Sequence, residues 1–148
     1  MTPHSGTPDN RETRLAALCR KYGISVLYAF GSRANEAADW LENTIQNMAA
    51  STSDLDLGVL PDSGTRLPIR RIVNLTSDLE DLFGVYRVDL VILPQAPPFL
   101  ASNIVQGERL FAADEDQADE YDLYVLRRAG DLLFLRRERA YLLEENQA

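Results

Sequence analysis

The apolar positions change period along the chain, and each change marks an element. From Asp9 to Tyr22 the residues Leu15, Leu18, Cys19 and Tyr22 recur at helical spacing, with Gly23 placed to end the helix. The stretch ISVLYAF, 24–30, then alternates as a strand does. Gly31 and Ser32 follow it directly, and NEAADWLENTIQNMAA sets Trp40, Leu41, Ile45 and Met48 along one helical face, which predicts a helix over about 35–50. A second strand is expected from Asp54 to Leu60, stopped by the turn-forming cluster PDSG. Pro68 suits the first turn of a third helix whose buried stripe is Ile69, Ile72, Thr76, Leu79 and Phe83, with Gly84 at its end.

VYRVDLVIL, 85–93, reads as a third strand. Strand, helix and strand in this order imply a right-handed crossover, which makes the second and third strands parallel neighbours. After PQAPP the pattern predicts a short helix near 98–106, a turn at Gly107 and a brief strand ERLFA. The remainder, about 116–145, reads as one long helix, although Gly130 inside it costs about 1 kcal/mol relative to alanine. The expected fold is α/β (α+β): a small mixed sheet with helices packed on it and a C-terminal helix. Residues 1–8 are expected as a flexible tail and 9–148 as a single domain.

Composition narrows the possibilities. A chain of 148 residues suits one hydrophobic core. With 23 acidic against 15 basic residues the net charge is -8, which disfavours direct nucleic-acid binding. Cys19 is the only cysteine, so no intrachain disulfide can form, and a reducing, cytoplasmic setting is expected. The only histidine, His4, lies in the tail, which argues against a histidine triad or a histidine-rich zinc site. No run approaches the roughly 18 apolar residues of a membrane span, and MTPHSGTPDN lacks the basic-then-apolar pattern of a secretion signal.

The candidate chemistry lies in STSDLDLGVL, 51–60, where Asp54 and Asp56 fall two apart on a strand and therefore point to one face. Two unpaired carboxylates held together raise each other's pKa, and a divalent cation removes the conflict. Magnesium suits such oxygens, because it keeps several waters and takes further ligands from substrate phosphates. Asp89 repeats the feature in the next strand, so three carboxylates can converge and hold two ions roughly 3.5–4 Å apart. Gly31-Ser32 supplies the complement. Glycine lets a phosphate approach the backbone, the serine hydroxyl donates to it, and the helix N-terminus that follows favours an anion. Taken singly, Asp54 reads equally as a strand-entry residue, Asp56 as an edge-strand charge and Asp89 as a partner of Arg87.

The ordered set strand-GSR, SDLDLGV and VDLVIL resembles the minimal nucleotidyltransferases, small members of the DNA polymerase beta-like nucleotidyltransferase superfamily. The resemblance covers roughly residues 10–112, and NIVQGERLF is similar to that family's usual ending. It implies the polymerase beta-like fold, with Gly31 and Ser32 binding a nucleoside triphosphate. It further implies that Asp54 and Asp56 ligate both Mg²⁺ ions and that Asp89 completes the metal site beside the nucleophile. Arg33 would add a phosphate contact, or else stay a solvated surface arginine. The implied reaction is attack of an acceptor hydroxyl on the α-phosphate of ATP, releasing pyrophosphate. One departure stands out: 21 residues, 33–53, separate Ser32 from Asp54, where the family has about ten. Their apolar residues must be covered by this domain or by a partner.

Many minimal nucleotidyltransferases are similar to antitoxins of HEPN-MNT pairs, which transfer AMP to a tyrosine of a partner ribonuclease toxin. The resemblance therefore implies a protein adenylyltransferase acting as antitoxin on a HEPN-type toxin. Two alternatives remain at this stage: an antibiotic-type enzyme modifying a small molecule, and a non-catalytic antitoxin that neutralises its toxin by binding. The run DEDQADEYD, 114–122, is read as solvating a helix start. Tyr121, Tyr124, Val125, Leu132, Leu133 and Leu135 beyond it are assigned first to core packing, with a homodimer seam or a toxin-binding, hetero-oligomeric surface as the other uses.

Overall fold

Among the described residues four strands form one mixed sheet, and five helices accompany it. The computed structural model describes residues 8–50 and 53–147; His4 and the expected tail up to residue 7 lie outside them. In chain order the elements are α1 (Pro8–Tyr22), β1 (Ile24–Phe30), α2 (Ala34–Leu41), β2 (Leu55–Pro61), α3 (Ile69–Phe83), β3 (Val88–Ile92), α4 (Pro98–Val105), β4 (Glu108–Ala112) and α5 (Glu115–Gln147). Single 3-10 turns at Gly31–Arg33 and Leu93–Gln95 join β1 to α2 and follow β3.

The central strand β1 pairs antiparallel with both β2 and β4, whereas β2 and β3 run parallel across the α3 crossover, as expected. Alternation divides the core in two. Leu27 and Ala29 of β1 and Leu55, Leu57 and Val59 of β2 pack against Leu15 and Cys19 of α1 and Leu75, Leu79 and Phe83 of α3. On the other face Val26, Tyr28 and Phe30 meet Ala101, Ile104 and Val105 of α4 and Ala118 and Val125 of α5. Gly58 is required there, because a Cβ on it would come within 2.5 Å of the Ile104 side chain.

Three expectations are corrected. The helix over 35–50 stops at Leu41, and Ile45 and Met48 lie on irregular chain. Asn43 takes a left-handed φ of 63°, which asparagine tolerates well. Arg11 of α1 then donates to the carbonyls of Trp40 (2.6 Å), Ile45 (2.8 Å) and Gln46 (2.7 Å), satisfying acceptors that a longer helix would have used itself. The segment is still packed by this domain: Trp40, Leu41 and Met48 are buried, with the Trp40 and Phe83 ring centroids 4.9 Å apart.

The stripe of α3 is also rotated. Leu75, Leu79, Leu82 and Phe83 are buried, while Ile69 is 80% exposed. Gly84 ends the helix in the left-handed conformation (φ 68°), its N–H bonded to Glu80 O at 2.9 Å.

The third correction concerns α5. It runs unbroken through Gly130, but only its first half packs on the domain. Val125 is buried, whereas Leu132, Leu133 and Leu135 are exposed and are not core. The acidic run, read only as solvation, also anchors this helix. Glu115, Asp119 and Asp122 recur at i, i+4 and i+7 and meet Arg109 of β4 at 2.7, 2.9 and 2.7 Å, and Tyr28 donates to Asp122.

Candidate functional site

The candidate residues meet where β1 ends and β2 and β3 begin. Because β1 is antiparallel to β2, its last residue, Phe30, pairs with Asp56; because β3 is parallel to β2, Asp56 pairs with Asp89. Paired residues on adjacent strands share a face, so the Asp56 and Asp89 side chains leave the sheet together. Asp54 lies just ahead of β2, its neighbour Leu55 donating to Arg87 O at 3.0 Å.

Gly31 closes the other side. Its φ of +74° lies in the left-handed region, and a Cβ there would stand 2.5 Å from Asp56 Oδ2. The backbone at the start of the turn is thus held directly against the carboxylate. Ser32 follows on the surface, and the chain passes straight into α2.

The electrostatics show how closely these acids are set. Burial first, then the charges of Asp89 and Asp54, push the Asp56 carboxyl above the ordinary aspartate range. Asp54 Oδ1 lies 3.8 Å from Arg87 Nε, so the arginine expected beside Asp89 serves Asp54 instead. That arginine is 77% exposed, and the contact is a weak, screened one.

The donors fit a hard cation, since all are carboxylate oxygens and the half-buried Asp56 carries unrelieved repulsion. Among the described residues, no three His, Cys, Asp or Glu side chains are gathered closely enough to hold a metal ion alone. Side-chain rotation at Asp54 and Asp89, with phosphate oxygens from a nucleotide, would have to complete such a site.

Arg33 is placed differently from the expected phosphate contact, and it is not a surface arginine. It is 6% exposed; its guanidinium donates to Glu36 Oε1 (2.9 Å) and Oε2 (3.2 Å), Ala49 O (2.7 Å) and Ser53 O (3.2 Å). Glu36 in turn accepts from the Ala49 N–H, and these bonds hold its carboxyl below the usual range. Arg33 and Glu36 therefore clamp the insertion at Ala49 and Ser53, next to Asp54. The i, i+3 spacing of Arg33 and Glu36 was the only sequence signal for this pair.

The insertion also walls an open cleft of about 590 Å³, lined by Met48, Ala49 and Ala50 on one side and Val85 and Tyr86 on the other. A second cleft of about 490 Å³, between Thr65, Pro68 and Pro94, lies at the far ends of β2 and β3 from the carboxylates.

The sequence profile of the family described as "Polymerase beta, Nucleotidyltransferase" matches residues 13–116. No curated protein matches by sequence. Among solved structures, a toxin–antitoxin complex with AMP-PNP is similar at a TM-score of 0.60 and 21% identity, covering 93% of this chain and 98% of that one. A tri-AMPylated HEPN toxin from Shewanella oneidensis in complex with its MNT antitoxin gives 0.58 and 19%, covering 96% and 100%. The toxin–antitoxin MntA-HepT gives 0.58 and 20%, covering 95% and 99%. At these identities the structural likeness shows the fold, and the profile, spanning most of the chain, shows the family. This chain belongs to the polymerase beta nucleotidyltransferase family.

Proposed function

We propose that the chain is a Mg²⁺-dependent adenylyltransferase that moves AMP from ATP to a tyrosine hydroxyl of a HEPN ribonuclease toxin and so acts as its antitoxin. The observation that carries this reading is the pairing of Asp56 with Asp89 beneath the backbone of Gly31, which sets carboxylates and a phosphate-accepting turn within one small volume. The partner is drawn from the HEPN toxin bound by the similar MNT antitoxin, and ATP from the AMP-PNP of the similar complex.

In this reading Asp54, Asp56 and Asp89 hold Mg²⁺, which supplies positive charge against the developing charge on the phosphate oxygens. Gly31 admits the triphosphate to the backbone and Ser32 donates its hydroxyl to it. The acceptor oxygen, positioned beside Asp89, forms the new bond to the α-phosphorus as the bond to the β-phosphate bridge breaks. Pyrophosphate leaves with that electron pair, and the hydroxyl proton passes to the nearby carboxylate. The cleft between Ala49 and Tyr86 gives the acceptor side chain an approach. Arg33 acts from behind, fixing Ser53 and hence the entry to Asp54.

Co-expression with the toxin and intact-mass measurement of that partner tests the proposal. AMP-sized increments are expected with the wild-type chain and none with Asp54→Ala or Asp56→Ala. A toxin that is neutralised yet unmodified would replace catalysis by occlusion.

A further inference from the structure

The distal half of α5 raises a question that the candidate site does not answer. Every described side chain from Gly130 to Glu145 is exposed. A helical stretch of this length with no packing is marginal in water, so it calls for a partner. Leu123, Phe134 and Tyr141 are 52–61% exposed and lie on the side of α5 opposite its own buried stripe of Ala118, Val125 and Ala129. Together they present roughly 350 Å² of apolar surface, the size of the largest patch on an ordinary monomer and a little under half of what one partner gives a standard interface.

We propose that this face is a homodimer seam, in which α5 of a second copy packs antiparallel. Positions 116, 120, 123, 127, 130, 134, 137 and 141 follow the alternating four and three spacing of a helix–helix seam, and all are exposed. Laid antiparallel about a two-fold axis, that stripe is complementary to itself. Glu120 meets Arg137 of the other copy, Leu123 meets Phe134, and Asp116 meets the Tyr141 hydroxyl. Arg127 crosses at Gly130, next to the axis. The acidic beginning of each helix thereby covers the basic turn Arg136, Arg137 and Arg139 of the other.

Gly130 supports this register independently. A Cβ there would meet nothing within 4 Å, so the chain alone gives no reason for a helix-weakening glycine. At a helix crossing the same residue lets the Arg127 stem of the second copy pass. Because the seam faces away from the buried stripe, each globular body lies outside the pair. Leu126, Leu132, Leu133, Leu135, Leu142 and Leu143 lie off this face and are not used by it.

Sedimentation equilibrium of the full chain, without any toxin, tests the seam. A dimer of the 16.6 kDa chain is expected at tens of micromolar. Phe134→Glu should give a monomer with an unchanged helical circular-dichroism signal. Glu120→Arg and Arg137→Glu should each raise the dissociation constant at least about tenfold, and the double variant should recover most of that loss. A wild-type monomer at 100 micromolar overturns the proposal, as does a dimer indifferent to Phe134→Glu and to both charge reversals. So does a monomer that associates through this face only when a toxin is added.

Discussion

Gly31→Ala separates the geometry of the site from the stability of the fold. The substitution places a Cβ at φ +74°, in the left-handed region, which costs an L-residue about 1–2 kcal/mol. For a domain of this size that corresponds to a fall in melting temperature of about 2–8 °C. The added carbon would also lie 2.5 Å from Asp56 Oδ2, the free end of a rotatable side chain. The carboxylate can swing away cheaply, so the fold survives while the group that matters most is displaced. A misplacement on the order of 1 Å costs about a hundredfold in rate. Gly64→Ala is the control, since its φ is +83° and a Cβ there meets nothing within 4 Å. Thermal unfolding and nucleotide transfer would be measured on both variants. Similar melting losses are expected, with the hundredfold loss of transfer confined to Gly31→Ala. If the two variants transfer nucleotide equally well, the placement of Gly31 over a working carboxylate is wrong.

Other substitutions address the remaining contacts. In metal-free buffer the raised Asp56 pKa means that the folded state keeps its proton to higher pH than the unfolded chain, whose value is about 3.9. Stability should therefore fall as pH rises from about 4 through the folded value, and Asp56→Asn should melt higher than wild type at pH 7. Adding Mg²⁺ with ATP should reverse that order, stabilising the wild-type chain alone, by about 2.7 kcal/mol at a hundred times the dissociation constant. Arg33→Ala strands Glu36 and two backbone carbonyls, and should cost about 2–3 kcal/mol in denaturant unfolding, with Arg33→Lys recovering little because lysine lacks the planar fork. Burial pushes the Cys19 thiol up to about 12, so a thiol reagent at pH 8 should label the native protein only at its unfolding rate and the denatured protein at once.

Much of this was legible in the sequence wherever a local pattern decides the structure. Strand β4 occupies the expected ERLFA, the parallel pairing of β2 and β3 followed from the crossover, and Gly84 closes α3 as its position suggested. The convergence of Asp56 and Asp89 was readable because strand parity is a rule of period two. What periodicity missed was set by side chains far apart in sequence. The end of α2 depends on Arg11 reaching across 29 to 35 residues to three carbonyls, and no helical wheel of 35–50 contains that arginine. Arg33 was misplaced for the same reason. Adjacency to Gly31-Ser32 suggested a phosphate ligand, while its burial is fixed by Ala49 and Ser53 on the insertion's return. Along α5 the apolar residues are assigned by pattern first to core packing, and only the structure shows that Leu132, Leu133 and Leu135 lie beyond the part of the helix that packs.

Transfer from ATP labelled at either end addresses the central claim most directly. With the toxin as acceptor and Mg²⁺ present, the account predicts that label from the α-phosphate becomes attached to the toxin while label from the γ-phosphate leaves entirely as pyrophosphate, and that Asp56→Asn abolishes both signals. Label from the γ-phosphate on the toxin, or α-label transfer undiminished in Asp56→Asn, would contradict it.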